Sequence, residues 1–280
     1  MTKHLLLALA LVGVAVFGTS ASEIEAQSGT GRVRVMHASP DTPPVDIFVD
    51  GQKAVSALAF PNATQYVSLP AGPHEVKVFV SPSDGGGAPA LQATLTIEAG
   101  KDYTVLAVGR SGDGSLSLLP LTDNNATPAA GKAHVRFIHA SPDAPAVDIV
   151  VRGTNTALFS NVAFKEVGAY TPVDAGAYNL DVRVSGTDAV ALSLDNVRLN
   201  ARTVYTVVAV GLVGESSLRA VPLVDAEAPA PPHTGTGLAP SENASNRLGL
   251  ALLLVAAGAS LALLSASVLH RRRDHGSAEA

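Results

Sequence analysis

Residues 33–49 read VRVMHASPDTPPVDIFV and residues 135–151 read VRFIHASPDAPAVDIVV, so that 12 of 17 positions are identical at an offset of 102 residues. The same offset relates the Tyr-Thr-Val triplets at 103–105 and 205–207. A unit of about 100 residues is much longer than a solenoid repeat and can bury a core of its own. The sequence therefore predicts two tandem copies of one domain, over residues 31–123 and 132–225.

Both copies are built of short segments in which apolar residues alternate with other residues. In the first copy Val45, Ile47 and Val49 alternate in this way before an Asp50-Gly51 turn, and the second copy repeats the pattern from Val147. Period-two alternation with a turn signal every 8 to 12 residues or so is typical of an all-β sandwich. Neither copy contains an amphipathic helical segment of the kind that connects parallel strands. We therefore predict two all-β sandwich domains.

The amino-terminal segment has the layout of a secretory signal peptide. Lys3 precedes an apolar run over residues 5–17, and small residues follow it. This charged, apolar and small-residue order predicts a signal peptide over residues 1–26, cleaved after Ala21 or Ala26. The alternative is an uncleaved anchor, which the short apolar run disfavours.

A second apolar run lies near the other end of the chain. Residues 248–269 are 22 in number and carry no charge, and a basic cluster, residues 270–273, follows at once. The length predicts a transmembrane helix, and the cluster predicts a cytoplasmic tail over residues 270–280. A buried core helix is the alternative. The Pro-rich residues 226–246 would be a stalk, so the sequence predicts a single-pass membrane protein with its domains outside the cell.

Composition excludes several classes of function. The chain has no cysteine, which removes disulfides, thiol nucleophiles and thiolate metal sites. Residues 23–246 hold 14 Lys and Arg against 22 Asp and Glu, and aromatic residues make up 4% of the chain. Nucleic-acid binding needs basic patches, so no nucleic acid is expected as a partner. We expect no cofactor either.

The His-Ala-Ser-Pro-Asp motif contains the three residue types of a catalytic triad, namely His37, Ser39 and Asp41. Residues two apart on a strand lie roughly 7 Å from each other, whereas a nucleophile must lie about 3 Å from its base. Pro40 also holds Ser39 in an extended conformation. The same argument applies to the second copy at residues 139–143, so we predict that the protein is not an enzyme.

Metal binding is the second interpretation of the motif. One histidine with carboxylates suits a divalent ion, provided that the segment folds back. The candidate ligands are one set in each copy: His37, Asp41 and Asp46, and His139, Asp143 and Asp148. No second histidine stands at ligand spacing in either copy, so the prediction is that no metal site is present.

The interpretation that we favour is structural. His37 shares a strand face with Val33 and Val35, which is typical of a histidine at the edge of a core. Ser39-Pro40-Asp41 is expected to form a turn in which Ser or Asp caps backbone amides. Asp46 would accept hydrogen bonds from the histidine ring or from loop amides.

These motifs together resemble the DUF 4397 family. The resemblance lies in His-Ala-Ser-Pro-Asp, then Pro-x-Val-Asp-Ile, then Ala-Gly before an alternating strand, and Tyr-Thr-Val with a following Gly. Both copies carry it, over residues 37–47 with 103–109 and over residues 139–149 with 205–211. It implies an extracellular bacterial β-sandwich, immunoglobulin-like or prealbumin-like, without an assigned activity. It supplies no catalytic residues.

The sequence thus predicts a non-enzymatic protein of the bacterial cell surface, held in the membrane by one C-terminal helix. Its two domains would serve adhesion, structure or interaction with a protein of the cell envelope. The alternative function is an extracellular module that binds a ligand or metal at the His/Asp edge of each domain, and a hydrolase is the least favoured.

Overall fold

The structure is a computed structural model that describes residues 29–154 and 156–229. Within these residues all regular secondary structure is β-strand. The first copy contains eight strands: β1 (Thr30–His37), β2 (Val45–Val49), β3 (Gln52–Leu58), β4 (Val67–Pro70), β5 (Gly72–Val80), β6 (Leu91–Ile97), β7 (Asp102–Val108) and β8 (Ser117–Asp123). The second copy contains the matching eight: β9 (Lys132–His139), β10 (Val147–Val151), β11 (Ala157–Val162), β12 (Thr171–Asp174), β13 (Gly176–Val184), β14 (Val190–Leu199), β15 (Thr203–Val210) and β16 (Arg219–Glu227).

Each copy is a pair of four-stranded sheets. The first copy has the strand orders β4-β1-β7-β8 and β3-β2-β5-β6, and the second repeats them as β12-β9-β15-β16 and β11-β10-β13-β14. The first strand of each copy pairs in parallel with the seventh, as β1 with β7 and β9 with β15. The prediction of an all-β fold with two sandwich-like units is therefore confirmed.

Two predicted segments fall outside the described residues, namely the signal peptide at 1–26 and the transmembrane helix at 248–269. Among the residues that the structure does describe, no helix has the length and apolar character needed to cross a membrane.

Local sequence explains where the strands turn. The Asp50-Gly51 pair joins β2 to β3, and both residues have positive φ angles, 49° and 77°. This is the requirement of a type I′ hairpin turn, which Asp-Gly satisfies at low cost. Gly109 follows β7 with φ of 94°, and a Cβ there would lie 2.4 Å from the Ser115 carbonyl oxygen. Only glycine fits at the end of this strand.

The two copies pack against each other through one sheet each. Side chains of β1 and β7 meet those of β9 and β15 in a cluster of fully buried residues, which we call the shared core: Met36, Ala38, Leu106, Val108, Ile138, Ala140, Val208 and Val210. Every member is 0% exposed. Both copies therefore belong to one compact unit. In each sandwich the central strands of one sheet, β1 with β7 or β9 with β15, are largely buried.

Two ion pairs cross the junction between the copies, and we call them the exchanged ion pairs. Arg34 of the first copy donates to Asp225 of the second at 2.7 Å, and Arg136 of the second donates to Asp123 of the first. No side chain of the four is more than 4% exposed. Each copy thus neutralises a buried charge of the other.

Hydroxyl groups complete these pairs, and Thr104 donates to Asp123 while Thr206 donates to Asp225. The hydroxyl of Tyr66 donates to Asp123 at 2.5 Å, and that of Tyr170 donates to Asp225 at 2.7 Å. Burial raises the pKa of both tyrosines, so both remain donors at neutral pH. The Arg34 guanidinium also lies 4.7 Å from the centre of the Tyr66 ring, and Arg136 lies at the same distance from Tyr170. Buried charge is tolerated when it is paired and hydrogen-bonded in this way.

Candidate functional site

The motif histidines lie buried where β1 and β9 end. His37 is 1% exposed, and its Nε2 lies 3.1 Å from the Pro43 carbonyl oxygen. The Ser39 amide donates to Nδ1 at 3.3 Å, so Nδ1 is the acceptor and the proton lies on Nε2. His139 repeats this arrangement with Pro145 and Ser141. Both ring nitrogens are thus used within the turn.

The environment of these rings favours the neutral form. Burial lowers the pKa of His37 and of His139 below the ordinary value of 6.5. Each ring also meets a phenylalanine edge-on, Phe60 in the first copy and Phe164 in the second. These are the surroundings of a histidine at the edge of a core.

The motif aspartates tie the turn to a distant loop. Asp41 accepts hydrogen bonds from the amides of Ser111 and Gly112, each at 2.9 Å, and these residues belong to the loop between β7 and β8. Asp143 accepts from Val213 and Gly214 in the same way. Burial opposes ionisation of both carboxyls, but the hydrogen bonds from the backbone amides outweigh this effect and lower the pKa of each carboxyl. Sequence reasoning predicted capping within the turn and missed the distant loop.

The aspartate at the second position of the second strand of each copy has different partners. Asp46 is 2% exposed and accepts from the amides of Ala57 and Ser83 and from the Lys53 ammonium. The hydrogen bond from the Ala57 backbone amide is the largest cause of the lowered pKa of Asp46. Asp148 accepts from the Asn161 amide at 2.6 Å. The sequence suggested the histidine ring or loop amides as partners, and the structure gives backbone amides: Ser83 lies in the loop after β5, whereas Ala57 and Asn161 lie in the bulged strands β3 and β11.

The serine hydroxyls face away from the histidines. Ser39 Oγ lies 2.7 Å from Thr42 Oγ1 and 3.2 Å from an Asp41 oxygen. Ser141 Oγ donates to the Gly211 carbonyl oxygen at 2.7 Å. In each copy it is the serine amide that meets the ring, so the ring is not placed to take the hydroxyl proton.

The six candidate metal ligands do not form a ligand set. In each copy the histidine bonds a proline carbonyl, while the two aspartates bond amides of separate loops. Among the described residues no three His, Asp or Glu side chains are grouped so as to hold a metal ion. The chemistry that this geometry supports is the fixing of loops.

We expect the motif histidines to make stability fall between neutral and mildly acidic pH. Their pKa is lower in the folded chain than the unfolded value near 6.5, so the unfolded chain binds protons more readily. Their contribution is complete above about pH 6.5 and is lost as the pH falls below it. Urea midpoints measured from about pH 7.5 to about pH 5 would follow this loss of stability. The aspartates with lowered pKa values would not contribute in this range, because they titrate only below about pH 3.8.

His74 provides the internal control for this measurement. Its hydrogen bond to Asp50 raises the pKa of His74, so its contribution is present at low pH and lost as the pH rises. His74→Gln should therefore steepen the acid loss, whereas His37→Gln with His139→Gln should flatten it. If the double variant lost as much stability at acidic pH as the natural chain, the loss would not come from His37 and His139.

Comparison with known proteins adds a family but no activity. No curated protein matches the chain. Among solved structures, the Bacillus anthracis TIE protein is 11% identical with a TM-score of 0.21, over 66% of this chain and 34% of its own. A leucine-rich repeat protein from Bacteroides thetaiotaomicron is 12% identical with a TM-score of 0.15, over 64% and 26%. This chain thus spans about a third or less of either protein.

The family model described as a domain of unknown function, DUF4397, matches the chain twice, over residues 31–150 and 133–236. These matches include both His-Ala-Ser-Pro-Asp motifs and the strands around them. The resemblance that the sequence suggested is therefore confirmed, and the chain belongs to the DUF4397 family.

Proposed function

We propose that the protein is a non-enzymatic cell-surface protein whose two sandwiches form one rigid body for adhesion or protein interaction. The observation that carries this proposal is that the polar groups of both motifs are bonded within the fold. Such groups hold loops in place and leave strand edges and loop surfaces for contact with partners. The shared core supports the same proposal, because it makes the two copies a single presenting unit.

Strand order favours a prealbumin-like sandwich over an immunoglobulin-like one. An immunoglobulin domain places its first, second, fifth and fourth strands in one sheet. Here the first strand lies between the fourth and the seventh, and the second lies between the third and the fifth. We therefore assign the prealbumin-like alternative to both copies.

The proposed location rests on the two ends of the sequence. A signal peptide at 1–26 and a transmembrane helix at 248–269 would place both sandwiches outside the cell, with the basic residues 270–273 in the cytoplasm. The stalk at 226–246 would separate the sandwiches from the membrane. The membrane is then the partner of the C-terminal helix, and a cell-envelope protein is the proposed partner of the sandwiches.

Epitope accessibility tests the location. One peptide tag is inserted at Gly86, in the exposed glycine loop between β5 and β6, and a second is fused after Ala280. We expect antibody to label the first tag on intact cells and the second only after permeabilisation. A variant without residues 248–269 is the control and should release the first tag into the medium. Equal labelling of both tags on intact cells would overturn the proposal.

A thermal melt separates the proposed role from the metal-binding alternative. We expect the melting temperature of the segment 27–246 to be the same with chelator, added calcium or added zinc, because the candidate ligands already have partners. A ligand that binds only the folded state would raise it. Asp46→Asn should lower the melting temperature equally in all three solutions, since it weakens the hydrogen bonds that hold β3 and the loop after β5. A metal-dependent shift that Asp46→Asn abolishes would restore the binding alternative.

A further inference from the structure

The described sheets end in eight edge strands, and seven of them carry a feature that discourages pairing with another chain. Such features are a short length, a proline, a charge or a bulge. Two edges are only four residues long and contain proline, β4 and β12. Two contain a proline within the strand, β8 and β16. Three have register shifts and a residue with positive φ: β3, β11 and β14.

The eighth edge strand, β6, has none of these features. Its sequence is Leu-Gln-Ala-Thr-Leu-Thr-Ile, without charge or proline, and it pairs with β5 in one unbroken register over seven residues. The matching edge of the second copy, β14, carries Asp195 and Arg198 and a bulge at Asn196, where φ is 53°. The unprotected edge is therefore a property of the first copy alone.

The pairing of β5 shows which backbone groups β6 presents. The Asp50 amide donates to the Glu75 carbonyl oxygen, so the backbone N–H and C=O groups of Glu75 point toward β2. Those of its neighbour Val76 therefore point toward β6. Val76 is paired with Ala93, so the backbone groups of Ala93 point toward β5. Because these groups alternate in direction along a strand, those of Gln92, Thr94 and Thr96 point outward at the open edge.

An open cleft lies beside this edge. It has a volume of about 290 Å³ and separates β6 from β8, the edge of the opposite sheet. Its walls include Leu95 and Ile97 of β6, Tyr103 and Val105 of β7, and Leu121 of β8. The sandwich is thus unfilled on the side where β6 is unpaired.

We propose that β6 pairs with β6 of a second copy of this chain, antiparallel and centred on Thr94. In this register Thr94 faces Thr94, and Gln92 faces Thr96 of the other copy, so all three outward-facing residues of each strand are hydrogen-bonded. Ala93 and Leu95 would face each other across the strands on the cleft side. Threonine and apolar pairs of this kind stabilise antiparallel sheets.

The charge pattern is compatible with a second copy as the occupant. A twofold pairing places like residues near each other, so a charged strand would repel itself, whereas β6 is neutral. Glu75 and Lys77 lie one strand inward and pair with each other at 2.9 Å. Glu98 follows the last residue of β6, and in this register it would lie opposite residue 90 rather than opposite its own copy. Since β14 is protected, each chain offers one such edge, and the pairing closes as a dimer rather than a fibre. This pairing does not depend on location, so its failure would leave the surface proposal standing.

Cysteine cross-linking of the full chain in detergent tests the proposal, because the natural chain has no cysteine. Opposed residues of a hydrogen-bonded pair have Cα atoms about 5.5 Å apart, within the range that a disulfide bridges. We expect Thr94→Cys to give a covalent dimer on oxidation. Ser193→Cys, exposed on the protected β14 edge, is the matched control and should remain monomeric. Equal cross-linking of the two variants, or none, would overturn the proposal.

Charge variants test the register independently of oxidation. Thr94→Lys places two ammonium groups opposite each other and should weaken the dimer about fivefold in sedimentation of the full chain. Thr94→Glu should do the same alone, and a mixture of the two variants should recover association. A chain that is monomeric before substitution, or a mixture that fails to associate, would contradict pairing at this edge.

Discussion

Arg34→Ala is expected to lower the free energy of unfolding by about 3–5 kcal/mol, because it leaves the Asp225 carboxylate buried without its cation. The Asp225 side chain is 0% exposed and keeps only the hydroxyls of Tyr170 and Thr206 as partners. Urea denaturation of the segment 27–246, followed by circular dichroism, measures the loss. Arg136→Ala should give a similar value, since it removes the other exchanged ion pair.

Arg32→Ala is the matched control for this prediction. Arg32 lies two residues earlier in β1 and also pairs with an aspartate, Asp102, but its side chain is 50% exposed. An exposed pair of this kind contributes only about 0–1 kcal/mol. If Arg32→Ala proved as costly as Arg34→Ala, burial of the exchanged ion pairs would not be the source of their effect.

Truncation of the shared core is expected to have the next largest effect. Ile138→Val should cost about 0.5–1.5 kcal/mol and Ile138→Ala about 2–5 kcal/mol, because each removes buried methyl groups and leaves a cavity. Ile138 is 0% exposed and belongs to the second copy, yet it packs with Met36 and Leu106 of the first. Thermal unfolding of both copies should therefore shift together in a single transition.

Val190→Ala provides the comparison for the isoleucine series. Val190 is 48% exposed at the start of β14, so its truncation should change stability by no more than about 0.5 kcal/mol. Two separate transitions in Ile138→Ala, with the first copy unaffected, would show that the copies unfold independently and would remove the shared core as a source of cooperativity.

The sequence predicted the sandwich because alternation and turn chemistry act locally. Asp50-Gly51 forms its turn from two adjacent residues, and His37 shares its face with Val33 and Val35 as alternation requires. The same local reasoning placed the motif aspartates near turns. It could not supply their partners, since Asp41 reaches the Ser111 amide across 70 residues.

The packing of the two copies was not predicted, although the sequence contains a signal for it. A strand buried on both faces has a nearly continuous apolar sequence rather than an alternating one. The run Val-Leu-Ala-Val at 105–108 and the run Val-Val-Ala-Val at 207–210 have this character. The exchanged ion pairs carry no such signal, because Arg34 and Asp225 are 191 residues apart and their meeting depends on how the copies dock.

The exchanged ion pairs also affect what a protease could do to this protein. Eight residues, 124–131, connect β8 to β9, and they provide the only covalent link between the two sandwiches. A cut there would leave Arg34 bonded to Asp225 and Arg136 bonded to Asp123, with the apolar contacts between them intact. The nicked halves would stay together, so cleavage of the connection would not release the amino-terminal sandwich, and shedding it would require the junction itself to unfold.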